Sequence, residues 1–151
     1  PGEELFSIVK EFVKRSGVNV EDILLGKFLE IEKERIVLLK EIPDILSSIL
    51  KQPVLDKEKI AWRESDYESA KKALSVFLGE VEKISDEIWT NKDDLQKKFL
   101  EIADASGFSR AVILWPVRYV LTGKEKSAGP HEIAWLIGKE ETIKRITAAV
   151  V

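Results

Sequence analysis

The sequence predicts an all-α protein, two small packed helical domains forming a helix bundle with no sheet, on three observations. Apolar residues recur at spacings of three and four along nearly the whole chain, the period of helices with one buried stripe. No alternating apolar and polar run of strand length occurs. Between the periodic segments fall Gly, Pro and Ser/Thr/Asn/Asp residues at positions that start or stop helices.

The elements follow in order. Leu5, Ile8, Val9, Phe12 and Val13 share one helical face, and Gly17 sits where a left-handed cap would end that helix. Asn19 is suited to cap the next one, with Glu21 and Asp22 in its first turn where the helix dipole favours anions; its apolar positions are Ile23, Leu24, Phe28 and Ile31. A third pattern runs from Leu38 through Leu39, Ile42, Ile45, Leu46 and Ile49 to Leu50, with Pro43 in its first turns or at a kink. The period lapses over Lys51–Lys57, which places the domain boundary there: 1–55 and 56–151, uncertain by several residues. Ser65 and Glu68 then read as a capping box opening a helix through Ala70, Leu74, Phe77, Leu78, Val81 and Ile84. Another starts near Thr90 or Asn91, carries Leu95, Phe99, Ile102 and Ala103, and stops at Gly107. A helix from about Ser109 to Leu121 contains Pro116 and ends at Gly123. Pro130 opens the next, where its fixed φ suits the first turn; Gly138 ends it, and Glu140 to Ala149 forms the last.

Composition narrows the chemistry. The chain has 151 residues, 44% hydrophobic and 34% charged, a globular balance with enough length for a real core. It has no cysteine, which excludes disulfides, thiolate metal sites and a cysteine nucleophile. A single histidine, His131, leaves no His-rich metal site. The longest apolar runs, such as Ala111 to Pro116, fall far short of the roughly 20 residues of a membrane span, and the acidic start Pro1-Gly2-Glu3-Glu4 does not read as a signal peptide. With no methionine anywhere, the chain reads as a piece of something longer.

Net charge is −3, unevenly spread: residues 107–151 carry seven basic and four acidic side chains, a local +3, against −6 for the first 106. The segment could present one positive face, or be a solvated mixture of charges. Glu30, Glu32 and Glu34 read as a solvated helix face, not an acid–base pair. No phosphate loop and no nucleophile elbow occurs, so no catalytic or metal residue is assigned. Core packing is the default for Trp115 and Trp135, and a core or surface role for His131. The residues describe a binding module.

One stretch is unusual. Pro116 lies mid-helix with Arg118 two residues later on a largely apolar segment, and the Gly-bounded loop Gly123–Gly129 holds Lys124, Lys126, Ser127 and Ala128 before Pro130 and His131. An arginine fork suits base edges or phosphate, loop amides and a helix N-terminus suit anions, and a flat ring can stack on an unpaired base. A kinked helix with a structural arginine explains the same residues.

The string Leu114–Ile146, with its Pro116-x-Arg118-x-x-Leu121-Thr122-Gly123 helix end and its Leu136-x-Gly138-Lys139-Glu140 run, resembles the C-terminal signature of glutamyl-tRNA synthetases. Leu5 to Ser16 and Lys33 to Pro43 look like earlier helices of the same anticodon-binding region, so the similarity covers nearly the whole chain, strongly over the last 45 residues and weakly over the first 100. No HIGH-type or KMSKS-type ATP motif occurs. The resemblance implies two helical domains gripping the tRNA(Glu) anticodon stem-loop. Arg118 would contact the first two anticodon bases, Ser127, Ala128, Pro130 and His131 would surround them, Lys124 and Lys126 would meet phosphates, and Arg35 would read the third base. Ala128 stands where the family commonly has proline, and His131 where an aromatic ring is usual. The implied chain is cytoplasmic and monomeric, binds no DNA or membrane, and holds no cofactor of its own, since ATP, Mg²⁺ and glutamate belong to a catalytic domain it lacks. The alternative is a free-standing helical adaptor for a protein partner, expected to show an exposed apolar patch. For tRNA binding, Arg118, Lys124 and Lys126 should face solvent on one basic surface.

Overall fold

The computed structural model describes residues 2–36, 38–63 and 65–151. Among these residues there are nine α-helices and no strand: α1 Gly2–Arg15, α2 Asp22–Glu32, α3 Ile42–Leu50, α4 Tyr67–Val81, α5 Asp86–Trp89, α6 Lys92–Ala105, α7 Arg110–Thr122, α8 Pro130–Ile137 and α9 Lys139–Val150. None is long and apolar enough to cross a membrane. The chain divides into two compact units, Pro1–Lys51 and Gln52–Val151.

In the first unit α1 packs on α2 and α3. Val9 and Val13 meet a core that includes Leu25, Phe28 and Ile31 from α2 and Ile42, Leu46 and Ile49 from α3. Gly17 does take the left-handed conformation, at φ +82°, and its N–H reaches the Lys14 carbonyl. Several expectations are corrected here. Leu5 and Ile8 are exposed, so the buried stripe of α1 is narrower than its apolar spacing implied. Glu21, not Asn19, is the N-cap of α2, and its side chain makes no capping bond. The inward position of α2 is Leu25, while Ile23 is 75% exposed. Glu32 is buried, unlike Glu30 and Glu34, because it lies on the face of α2 that carries Leu25 and Phe28. Leu38 precedes the third helix, which begins after a 3-10 turn over Leu39–Glu41 and has Pro43 in its first turn.

The second unit is built on α4, against which α6, α7 and α9 pack, with α8 against α6, α7 and α9. Ala70, Ala73, Leu74, Phe77 and Val81 of α4 are all fully buried, at the i, i+3, i+4, i+7 spacing of one stripe. Phe77 meets Phe99 edge to face at 4.9 Å, and Trp89 packs on Phe99 at 6.2 Å. The indole N–H of Trp89 donates to the Ala134 carbonyl and that of Trp135 to the Thr90 carbonyl, so α5 and α8 are stitched together by two tryptophans whose polar atoms are satisfied. Helix starts are set by side-chain caps. Asn91 accepts from Asp93 and Asp94, and Ser109 from Val112. For α4 the cap is Asp66, not Ser65: its carboxylate accepts the Ser69 N–H at 2.7 Å, and the bonds from Ser69 hold its pKa below the ordinary aspartate value.

Residues 52–56 belong to this unit. The Asp56 N–H donates to the Tyr119 hydroxyl at 2.9 Å, and a methyl group added at Gly123 would come within 2.8 Å of Pro53 Cβ. The segment is thus seated on the C-terminal end of α7, the helix that carries Arg118.

Candidate functional site

Helix α7 has a buried face and a partly exposed one. Ile113, Val117, Val120 and Leu121 are fully buried, the i, i+4, i+7, i+8 stripe. Trp115 and Arg118, three residues apart, stand on the other side, where both are partly exposed. The guanidinium of Arg118 lies 4.8 Å from the ring centroid of Trp115, a cation–π contact that holds the charge over the indole. Its Nη2 donates to the Glu125 carbonyl at 2.8 Å, tying helix to loop. Arg118 also lines a cavity of about 330 Å³ with Trp62, Ala111, Leu114, Trp115 and Pro130. The expectation that Trp115 packs in the core is corrected: it is half-buried because the core face of α7 is already filled by its aliphatic residues.

The loop after α7 is built by short-range bonds. Gly123 takes φ +69°, and its N–H caps α7 at the Tyr119 carbonyl; a side chain there is disfavoured both by that conformation and by Pro53. The Thr122 hydroxyl donates to the Arg118 carbonyl and accepts the Lys124 N–H. Lys124 and Lys126 are exposed. Ser127 is half-buried, with its hydroxyl donating to the Ala128 carbonyl. Ala128 is fully buried, so its side chain is a wedge under the loop and touches nothing outside. Pro130 forms the first turn of α8 beside the Arg118 cavity. The Gly129 N–H is taken by Glu132, three residues on.

His131 is half-buried and folds back over Gly129, where an added methyl would meet its ring at 3.2 Å. Burial lowers its pKa; Glu132 and Asp93 oppose the shift and Lys92 adds to it. The imidazole is therefore neutral at pH 7, a flat ring without charge.

Under α7 lies a second arginine. Arg145 is 2% exposed; it donates to Glu141 at 3.0 Å and to the Leu121 carbonyl at 2.7 Å. Leu121 is among the last carbonyls of α7, which have no partner within the helix, so a buried cation fixes the point from which the loop departs.

Arg35 belongs to the first unit. It is exposed in the turn after α2, and its Nη1 donates to the Ile31 carbonyl at 2.7 Å. Together, then, the second unit gathers Arg118, Lys124, Lys126, Ser127, Pro130 and His131 around one helix end. Two residues there escaped the sequence reading: Trp62, with its ring 5.0 Å from that of Trp115, and Arg63, 5.3 Å from the Trp62 ring. The signal was an aromatic–arginine pair in a segment with no helical period. Among the described residues no group of three or more His, Cys, Asp or Glu is placed to hold a metal ion.

Known proteins bear on this arrangement. A family model described as an anticodon binding domain matches residues 4–150. The glutamate–tRNA ligase of Clostridium acetobutylicum is 30% identical over 136 residues, covering 88% of this chain and 27% of its own. That of Thermodesulfovibrio yellowstonii is 28% identical over 155 residues, 99% of this chain and 32% of its own. The chain thus spans about a third or less of these relatives. A crystal structure of a glutamate tRNA ligase from Elizabethkingia meningosepticum, in complex with its amino acid, shares the fold at a TM-score of 0.79 and 23% identity, over 99% of this chain and 29% of that one. With a family model spanning nearly its whole length, this chain belongs to the anticodon-binding-domain family that the glutamyl-tRNA synthetase signature in Leu114–Ile146 had pointed to.

Proposed function

We propose that the chain is the anticodon-loop-binding part of a glutamate–tRNA ligase, selecting tRNA(Glu) for aminoacylation as a monomer in the cytoplasm, with no catalytic step of its own. ATP, Mg²⁺ and glutamate are assigned to the remainder of such an enzyme. The observation that carries the reading is Arg118, its guanidinium 4.8 Å from the Trp115 ring centroid and both side chains lining one cavity. An unpaired loop splays its bases, which stack on aromatic or guanidinium planes and expose hydrogen-bonding edges. Arg118 offers both, a plane and a fork of donors. Lys124 and Lys126, exposed on the adjoining loop, supply the phosphate attraction that makes such binding fall with salt. Pro130 lines the Arg118 cavity, and His131 stands next to it, folded over Gly129. Arg35 reads the third base on the strength of the sequence resemblance.

The test is a titration of the intact chain with a glutamate anticodon stem-loop. Arg118→Ala weakens binding by about 1–3 kcal/mol, by analogy with arginine–base readout in DNA; unchanged affinity removes Arg118 from the site. Arg35→Gln lowers the preference for C over G at the third anticodon position, and a wild-type ratio means that Arg35 is misassigned. The adaptor reading draws on exposed apolar side chains, among them Leu5, Ile8, Ile23, Leu38, Leu39 and Leu50 of the first unit. It predicts that neither substitution alters RNA binding.

A further inference from the structure

The indoles of Trp62 and Trp115 line two cavities. One is the Arg118 cavity; the other, about 470 Å³, is lined by Glu58, Lys59, Trp62, Arg63, Glu125 and Lys126 with Trp115 behind them. We propose that this second groove is a nucleotide subsite, taking an unpaired loop nucleotide next to the anticodon bases held by Arg118. The inference rests on the anticodon-loop reading above.

Three features make the groove suitable. Its volume falls within the roughly 300–1,000 Å³ of small-ligand clefts. Its wall is a half-exposed aromatic surface: the Trp115 indole N–H donates to the Lys59 carbonyl, which pins the 57–63 segment to α7, and the two indoles meet at 59°. Stacking on such a face accepts any base, because every base has a π-surface. Three cations, Lys59, Arg63 and Lys126, stand at the rim against two carboxylates, Glu58 and Glu125. Arg63, now lying on the Trp62 ring, can leave it for a phosphate without unpacking the core, since it is exposed. The two indoles thus separate two neighbouring unstacked nucleotides. Trp62 adds affinity without reading sequence, while Arg118 discriminates.

The experiment titrates wild type, Trp62→Ala, Trp62→Phe, Arg63→Gln and Arg118→Ala with the glutamate anticodon stem-loop and with loops carrying a single abasic nucleotide at each position flanking the anticodon. Trp62→Ala is expected to lose about tenfold in affinity, Trp62→Phe to recover most of that loss, and Arg63→Gln to flatten the salt dependence. One abasic loop should cost wild type the same factor and cost Trp62→Ala nothing more, the non-additivity of a direct contact. If Trp62→Ala binds as tightly as wild type while Arg118→Ala does not, the second subsite is wrong and the anticodon reading stands. If the abasic and Trp62→Ala losses simply add, Trp62 acts only by supporting Trp115, and the subsite is again wrong. If wild type does not prefer the anticodon stem-loop to an unrelated hairpin, the anticodon reading itself fails.

Discussion

Arg118 and Arg145 both brace the C-terminal end of α7, yet one is half exposed and the other almost sealed. Arg145 has its fork fixed by Glu141 and by the Leu121 carbonyl in the interior of the second unit. Arg118 lies over an indole beside a cavity and donates to the Glu125 carbonyl of the loop. The two regions show what surroundings do to a residue type. A buried cation must be paired and hydrogen-bonded to be tolerated, so its donors serve the fold. A cation resting on an exposed aromatic keeps its hydration and can exchange one partner for another, so it can serve a ligand.

Substituting each arginine sharpens the contrast. Arg145→Met should be the most damaging change, lowering stability by about 3 kcal/mol because Glu141 and the Leu121 carbonyl lose their partner; urea unfolding followed by circular dichroism checks it, and a variant as stable as wild type would place Arg145 with Arg118 as a surface device. Gly123→Ala comes next. The positive φ costs an alanine about 1–2 kcal/mol, and the close approach of Pro53 adds to it. Gly17→Ala, at φ +82° with open space around it, carries the conformational cost alone, so the difference between the two melting temperatures isolates the Pro53 contact. Arg118→Ala should leave stability within about 0.5 kcal/mol of wild type while losing RNA affinity. Equal losses in both measurements would break the distinction between the two arginines.

His131 gives the smallest effect and a pH signature. Burial lowers its folded pKa below the ordinary value of 6.5, so the unfolded chain binds the proton first. Above that value both states are neutral and the group contributes no pH dependence. As pH falls below it, stability is lost until the folded pKa is passed. His131→Gln should therefore abolish the His131 part of the decline expected of wild type as pH falls through and below 6.5, read from unfolding midpoints at matched ionic strength. An unchanged slope would mean that the ring is as well hydrated in the fold as out of it.

Much of the second unit was legible because its signals are local. Asn91, Ser109, Gly123, Pro130 and Gly138 act on their own backbone neighbours, and each stands at the helix end its chemistry implies. Where two candidate caps adjoin, as at Ser65 and Asp66, composition does not choose; the geometry of the carboxylate toward the Ser69 N–H does. In the first unit the apolar spacing overstated the buried stripes. Leu5, Ile8 and Ile23 have the right period, but only the facing helices determine which part of a wide apolar arc is covered.

At the candidate site the Arg118 loop could be read from its residues, whereas its aromatic setting could not. α7 is apolar on most of its circumference, so period alone could not say that Trp115 faces outward. Trp62 lies 53 positions earlier in the chain, in a segment with no period, and reaches Trp115 only because 52–63 folds back onto α7 through Asp56 and Lys59. Helix content, the helix ends marked by Asn91, Ser109, Gly123, Pro130 and Gly138, and the Arg118 signature were thus legible in the sequence alone, since hydrogen bonding and capping within a few residues are local chemistry. Which face of α7 is open, the inward turn of Glu32, the sealing of Arg145 and the indole wall were decided only in tertiary structure, because burial depends on what packs opposite, and no residue carries that in its own neighbourhood.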